Sequence, residues 1–165
     1  MPTLDHLLQA TKRLGKPAWR PMLAYVAKLH GRSTHPAHAP LPYAWEEIGP
    51  GYCYGPAFGH WDLIHAVLDV VAYEPEHARR QLLNNLAAQE EDGLVPGTIW
   101  MPRDGDITRD EPRWSHTMGH PPVWPLAVEA YAAVVGDTGL IARTYDAVIK
   151  QIRWFENNRR AEPDG

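Results

Sequence analysis

Cysteine and long runs of charge are scarce in this chain of 165 residues. Cys53 is the single cysteine, so the chain cannot form an internal disulfide, and a reducing compartment, by default the cytoplasm, suits it. Basic residues occur in runs no longer than a pair, and 16 of them against 20 acidic residues give a formal net charge of -4. This balance argues against nucleic acid as a partner.

Long apolar segments are also missing. No stretch approaches the roughly 20 apolar residues that span a bilayer. The segment Met1–Gly15 lacks the continuous apolar core of a secretory signal. We therefore expect no membrane partner.

Strand patterns are sparse too, because alternation of apolar and polar residues with β-branched enrichment never continues beyond a few positions. Phenylalanine is rare at 2 residues, whereas 7 Trp, 7 Tyr, 16 Pro and 13 Gly are present. This composition predicts helices joined by long ordered loops, rich in aromatic residues with a polar tip, as in carbohydrate sites. We predict an all-α fold with a single domain over residues 1–165.

Apolar periodicity near 3.6 residues predicts the helices. They run from Leu4 to Leu14, Ala18 to His30, Trp61 to Tyr73, Pro75 to Glu91, Pro121 to Gly136 and Thr138 to Phe155. In the third of these, the positions expected in the core are Leu63, Ile64, Val67, Leu68, Val70 and Val71. Asp62, His65 and Asp69 share its polar stripe. We expect Gly93 and Gly136 to end their helices as glycine caps.

Two long segments, 31–60 and 94–120, are rich in proline and glycine. They far exceed the usual connection of about 4 to 6 residues, and long ordered loops are usually functional. Short links join the helices elsewhere. The alternation of short links and long loops predicts helical hairpins with the short links at one end and the long loops at the other.

One of these loops ends in a pattern that suits a sugar. Trp61 and Asp62 stand where a Gly/Pro/aromatic loop turns into an apolar helix. An aromatic face covers the apolar C–H surface of a pyranose, and a neighbouring carboxylate accepts hydrogen bonds from two adjacent hydroxyls. A second loop-to-helix junction, with His120, repeats the arrangement. We predict that Asp62, Trp61 and His120 bind one small carbohydrate, although a helix N-terminal acid, a core indole and a helix cap are their structural alternatives.

Two aromatic residues and two metal patterns complete the candidates. Tyr54 and Trp100, in loops beside the two junctions, are predicted as further sugar platforms. His116 and His120 have the four-residue spacing of zinc pairs, but the glycine and prolines around them argue against a helix. The acidic loop 103–110 misses the spacing of calcium loops. We therefore predict no metal and no cofactor.

Four segments, taken together, resemble a known family. They are Trp61–Asp62, the Q-x-x-x-G-x-x-P segment 89–96, the His-Pro-Pro-Val segment 120–123, and 154–165 with its Asp-Gly turn. In order and spacing they resemble the (α/α)6-barrel glycoside hydrolases of the clan that holds trehalases, processing α-glucosidases, and glucosylglycerate and mannosylglycerate hydrolases. The resemblance runs from about residue 52 to the end of the chain. At residue 120 this sequence has histidine, whereas the family usually has glutamine.

The resemblance implies helical hairpins in an incomplete (α/α)6 toroid, because five or six helices cannot close such a ring. The chain would be the amino-terminal part of an inverting, exo-acting hydrolase of a small glucoside or disaccharide, truncated at its carboxyl end. The family's general acid is expected in a Glu-Ser-Gly-x-Asp motif after Gly165, and its general base later still. Inverting hydrolysis needs two carboxyls about 6.5 to 9.5 Å apart, and Asp62 is the one that the sequence assigns to the pocket. The chain alone is expected to bind the sugar without cleaving it.

Two other functions fit the same residues. The chain could be a complete, non-catalytic helical module for a carbohydrate or a protein, and the gene sequence past Gly165 would discriminate. It could be a sugar epimerase on a similar toroid, with His65 or His120 as acid or base. In a truncated toroid the apolar flanks of the last helix, at Ile149, Ile152 and Phe155, would be exposed, so we expect self-association.

Overall fold

The computed structural model describes residues 4–49, 56–102, 113–115, 120 and 122–159. Its α-helices are α1 (Asp5–Ala10), α2 (Arg20–Arg32), α3 (Asp62–Val70), α4 (Pro75–Ala87), α5 (Trp124–Val135) and α6 (Gly139–Asn158), and a 3-10 turn, Pro17–Trp19, precedes α2. Its strands are β1 (Thr34–His35), β2 (Trp45–Glu46), β3 (Ala57–Gly59), β4 (Thr98–Trp100) and β5 (Arg113–Ser115). None of the helices in these ranges is long and apolar enough to cross a membrane.

The strands correct the predicted all-α class. β1 and β2 form an antiparallel pair, and β3, β4 and β5 form an antiparallel sheet in that order. All of them lie in segments that the sequence predicted as loop, and each has only two or three residues, which is too short to show an alternating pattern. The described residues are therefore predominantly helical with small sheets. The toroid stays a prediction.

Helix α3 is the centre of the core. It packs against α4 and α5, and α5 packs against α6. Of its predicted core positions, Leu63, Ile64, Val67, Val70 and Val71 are buried. Leu68 is 47% exposed, so its prediction was wrong, because around the helix it lies between the buried Ile64 and the exposed His65, outside the buried stripe.

Helix boundaries differ from the predictions where tertiary contacts decide them. α4 ends at Ala87 rather than Glu91, and Gly93 caps no helix. α5 begins at Trp124 rather than Pro121, and Gly136 ends it with φ +78° as predicted.

The start and the buried face of α6 also differ from the predictions. Thr138 makes no side-chain cap, since Asp137 Oδ1 accepts the hydrogen bond from the Gly139 N–H at 2.9 Å. The apolar period of residues 141 to 155 predicts a buried stripe that includes Ile141 and Tyr145. The helix instead buries Leu140, Thr144, Gln151 and Trp154, and leaves Ile141 and Tyr145 exposed. Ile152 is exposed as well.

Two indole hydrogen bonds explain this orientation of α6. Trp124 Nε1 donates to Gln151 Oε1 at 2.6 Å, and Trp154 Nε1 donates to Asp92 Oδ2 at 2.9 Å. Since buried polar groups have to be paired, these contacts turn the polar Gln151 inward.

Polar side chains of α4 hold the segment around β2. Gln81 Oε1 accepts a hydrogen bond from the Glu46 N–H at 2.9 Å, and Asn84 Oδ1 accepts one from the Tyr43 N–H at 3.0 Å. Gln81 and Asn84 are buried. Their side chains pair with backbone groups that strand pairing leaves unpaired in this segment. Glu46 is thereby fixed against α4.

Candidate functional site

A small sheet places the Trp61–Asp62 pair at the start of α3. β3 pairs with β4, and beyond the strand the His60 N–H donates to the Gly97 carbonyl at 3.0 Å. Trp61 is the N-cap of α3 and Asp62 lies in the first turn, where no side chain caps the helix. The helix dipole stabilises an anion there by about 0.3 to 1 kcal/mol. The carboxylate of Asp62 makes no capping hydrogen bond to this helix.

Gly59 leaves room for that carboxylate. A Cβ at position 59 would overlap Oδ2 of Asp62 and would lie 2.9 Å from Cγ1 of Ile48. Only glycine therefore fits the end of β3 while Asp62 keeps this position.

Asp62 lines a cavity of about 390 Å³. It is half-buried, and within the described ranges its carboxylate has neither a hydrogen-bond nor an ion-pair partner. His65 and Asp69, which share the polar stripe of α3, line the same cavity together with His30 of α2 and Glu46 of β2. The volume lies within the range of about 300 to 1,000 Å³ typical of small-molecule sites.

Trp61 stands beside this cavity and joins it to His120. Its side chain is 39% exposed, and its Nε1 donates to Nε2 of His65 at 3.1 Å. Its ring meets the ring of His120 edge-on, with centroids 6.5 Å apart at 89°. The two loop-to-helix junctions therefore meet at Trp61, while His65 connects Trp61 to the cavity of Asp62.

Of the described residues predicted to bind the sugar, Asp62 lines this cavity, whereas Trp61, His120 and Trp100 are not among its lining residues. Trp100 is the last residue of β4, opposite Ala57 of β3. Tyr54 lies outside the described residues.

His60 is a polar residue of this corner that sequence reasoning missed. It is 2% exposed, and its Nδ1 lies 2.8 Å from Oδ1 of Asn85. Burial lowers the pKa of His60 and the interaction with nearby His120 adds to this, while the hydrogen bond to Asn85 opposes it, so that the pKa is lowered to about 4. The ring is therefore neutral at physiological pH, with Nδ1 as donor and Nε2 as acceptor.

Three buried nitrogens at this corner lack a hydrogen-bond partner among the residues that the structure describes: His60 Nε2, Asn85 Nδ2 and His120 Nδ1. Buried polar groups are usually satisfied by protein or ordered water. These three nitrogens mark a place where a bound water or a ligand hydroxyl would form favourable hydrogen bonds. The position of His60, directly before the Trp-Asp pair, is the signal that could have identified it.

Glu46 forms the most strongly held wall of the cavity. His30 Nδ1 lies 2.6 Å from its Oε1, and His77 Nε2 lies 2.9 Å from its Oε2. Burial alone raises the pKa of Glu46, but the hydrogen bonds from the two imidazoles outweigh it, so the pKa is lowered. Glu46 is therefore a carboxylate with both oxygens engaged.

His30 carries positive charge in this wall. Its Nε2 lies 3.5 Å from Oδ2 of Asp69. Burial lowers the pKa of His30, but the hydrogen bonds and charges of Asp69 and Glu46 outweigh it and raise the pKa to about 9. His30, Glu46 and His77 come from separate elements, and no local sequence pattern relates them.

Metal ligation finds no support in the part of the chain that the structure describes, where no three His, Cys, Asp or Glu side chains form a group that could hold an ion. His116 and the acidic loop 103–110 lie outside that part.

One comparison with known proteins gave a match. The family model described as the mannosylglycerate hydrolase MGH1-like glycoside hydrolase domain matches residues 56–165. The matched region begins next to β3 and includes the Trp61–Asp62 pair, His120 and helices α3 to α6. Neither a curated protein nor a solved structure matches the chain.

Proposed function

The chain belongs to the MGH1-like glycoside hydrolases, since that family model matches residues 56–165, and on this premise we propose that it carries the sugar-binding part of a glycosidase site. The observation that supports the proposal is the carboxylate of Asp62, half-buried in a cavity of about 390 Å³ beside the exposed indole of Trp61.

The chemistry of a sugar suits this pair. A half-buried carboxylate without a protein partner is costly, and two adjacent hydroxyls would satisfy its oxygens with charge-assisted hydrogen bonds. The indole of Trp61 offers an apolar face, and its Nε1–H already donates a hydrogen bond to His65. His120, edge-on to Trp61, would contact the same sugar from the other junction.

We propose further that the substrate is a small glucoside or disaccharide, cleaved by inversion from its nonreducing end. The helices would form part of an (α/α)6 toroid, an arrangement consistent with the contacts of α3 with α4 and of α5 with α6. These finer statements rest on the resemblance of the Trp61–Asp62, 89–96, 120–123 and 154–165 segments to that clan.

We also propose that the chain alone does not hydrolyse its ligand. A general acid has to be protonated when it meets the substrate, whereas the lowered pKa of Glu46 keeps that wall carboxylate ionised. Asp62 is the carboxylate assigned to the sugar hydroxyls, and the Glu-Ser-Gly-x-Asp motif in which the resemblance places the general acid does not occur in residues 1–165. Turnover of trehalose or glucosylglycerate by the purified chain would contradict this part of the proposal.

Isothermal titration tests the binding itself. Glucose, trehalose and glucosylglycerate are titrated into the chain at concentrations that reach well above about 1 mM, because a binding free energy of about -4 kcal/mol gives a Kd in that range. At least one sugar should give saturable heat. Asp62→Asn, which keeps the size of the side chain and removes its charge, should weaken that binding roughly 10- to 100-fold, as expected for hydrogen bonds to a charged group.

Asp146→Asn is the matched control, because Asp146 is an exposed carboxylate of α6 that does not line the cavity. It should bind sugar as the wild type does. No saturable heat from the wild type, or equal heat from Asp62→Asn and wild type, would refute the proposal.

A further inference from the structure

The buried corner beside Trp61 has more hydrogen-bonding capacity than its contacts use. His60 and Asn85 are 2% and 1% exposed, and His60 Nδ1 lies 2.8 Å from Asn85 Oδ1. Within the described ranges, His60 Nε2, Asn85 Nδ2 and His120 Nδ1 are buried without a hydrogen-bond partner. These atoms come from the residue before Trp61, from α4 and from the second loop-to-helix junction, so no single segment accounts for them.

His60 is a fixed acceptor at this corner. Asn85 Oδ1 can only accept, so the His60 ring donates from Nδ1 and keeps its lone pair on Nε2. The pKa of His60 is lowered to about 4, and the ring therefore stays neutral at physiological pH. The amide nitrogen of Asn85 can only donate. The corner thus offers one fixed acceptor and one fixed donor.

His120 is the adaptable member of the group. Its ring lies edge-on to Trp61 with centroids 6.5 Å apart, and it interacts electrostatically with His60, although no hydrogen bond joins the two imidazoles. A neutral imidazole donates from one nitrogen and accepts at the other, and the partner of one nitrogen decides which is which. The group that meets His120 Nδ1 therefore determines what His120 Nε2 can offer to a ligand.

One water would satisfy all three nitrogens. A buried water usually makes about three hydrogen bonds to polar atoms that otherwise lack a partner. Here it would donate to His60 Nε2 and accept from Asn85 Nδ2 and from Nδ1–H of His120. The bonds from His120 through the water and His60 to Asn85 then all run in the same sense, and in such a chain each bond strengthens the next.

We propose that His60 and Asn85 position His120 through one buried water, in the tautomer that carries the His120 proton on Nδ1. The inference rests on the proposed sugar binding, because it makes His120 Nε2 the acceptor for one sugar hydroxyl. His60 and Asn85 do not touch the sugar in this arrangement. They are positioning residues, and the ligand has to donate a hydrogen bond where it meets His120.

Nitrogen NMR of the 165-residue chain, prepared with isotope-labelled histidine, tests the tautomer without a sugar. Protonated and unprotonated ring nitrogens of histidine differ widely in chemical shift. His120 should carry its proton on Nδ1, and so should His60. In His60→Asn, whose amide reaches the position of Nδ1 but not that of Nε2, His120 should lose this preference.

Two amide variants of His60 separate hydrogen bonding from packing. His60→Gln reaches the position of Nε2 and keeps an acceptor for the water, whereas His60→Asn does not. In titration calorimetry, glucose should bind about 3- to 10-fold more weakly to His60→Asn, as expected for one lost hydrogen bond between neutral groups. His60→Gln should recover most of that loss. His38→Asn, at an exposed histidine in the loop before β2, is the matched control and should bind as the wild type does.

The outcomes separate this inference from the proposed function. A wild-type His120 with its proton on Nε2, or one that exchanges between both tautomers, would overturn the inference even if glucose binds, and this result needs no variant to fold. Equal glucose affinity of His60→Asn and wild type would overturn it too, as would an equal loss in both amide variants. If the wild type binds no glucose but His120 is protonated on Nδ1 and loses this preference in His60→Asn, the proposed function is refuted and the positioning of His120 is supported.

Discussion

Deprotonation of His30 should lower the stability of the folded chain at alkaline pH. The His30 imidazole is buried against Glu46 at 2.6 Å and lies 3.5 Å from Asp69. Its pKa is raised from 6.5 to about 9 in the folded chain. A raised pKa in the folded state means that the stabilisation is fully present below pH 6.5 and is lost as the pH rises through 9.

The magnitude follows from the size of the shift. One pKa unit corresponds to about 1.36 kcal/mol, so a rise from 6.5 to about 9 is worth on the order of 3 kcal/mol. This is a large fraction of the roughly 5 to 15 kcal/mol that holds an ordinary domain together. The free energy of unfolding should therefore fall by about this amount between pH 6.5 and pH 10.

Urea unfolding followed by circular dichroism across this pH range measures the loss. His30→Gln, which hydrogen-bonds without a charge, should show a flatter dependence on pH. His38→Gln, at an exposed histidine in the loop before β2, is the control and should keep the wild-type slope.

Titration of the wild-type imidazoles by NMR tests the same reasoning if His30→Gln does not fold, since breaking a buried ion pair costs about 3 to 5 kcal/mol. A His30 ring that titrates near pH 6.5 would refute the reasoning.

Three other perturbations have definite expected results. Gly93→Ala should lower the midpoint of thermal unfolding by several degrees, because Gly93 has φ +102° and a Cβ there would overlap the backbone carbonyl of Lys150; an unchanged melting curve would contradict this. Gly59→Ala should displace the Asp62 carboxylate, because a Cβ there would overlap its Oδ2. Sugar affinity in titration calorimetry should therefore fall, whereas the midpoint of thermal unfolding should change little. An unaltered affinity would contradict this. His60, with a pKa lowered to about 4, should destabilise the fold as the pH falls from 6.5 towards 4, and an NMR titration of its ring with a midpoint near 6.5 would count against its burial as a neutral group.

Local patterns predicted the helices well because a helix buries one stripe of its own sequence. The core face of α3 follows from residues 63 to 71 alone, with Leu68 as the one error. Asp62 was recognisable for a similar reason, since the indole and the carboxylate that suit a sugar are neighbours in the chain. In the structure Asp62 lines a cavity, and its binding role stays a prediction.

The features that sequence patterns could not predict depend on contacts between residues far apart in the chain. The face that α6 buries depends on the bond from Trp124 to Gln151, 27 residues apart. The acidic wall depends on His30 and His77, which lie 16 and 31 residues from Glu46. No periodicity connects residues at such distances, so Glu46 was not predicted as a wall of the cavity.

The strands escaped prediction for a different reason. Each consists of two or three residues, and their pairing is decided by partners across the loops rather than by alternation within one segment.

A crystal structure of the chain soaked with glucose tests the central claim most directly. The account predicts one glucose in the cavity, with two adjacent hydroxyls within hydrogen-bond distance of the Asp62 carboxylate and the ring next to Trp61. An empty cavity at saturating glucose, or a sugar bound elsewhere with Asp62 untouched, would contradict it.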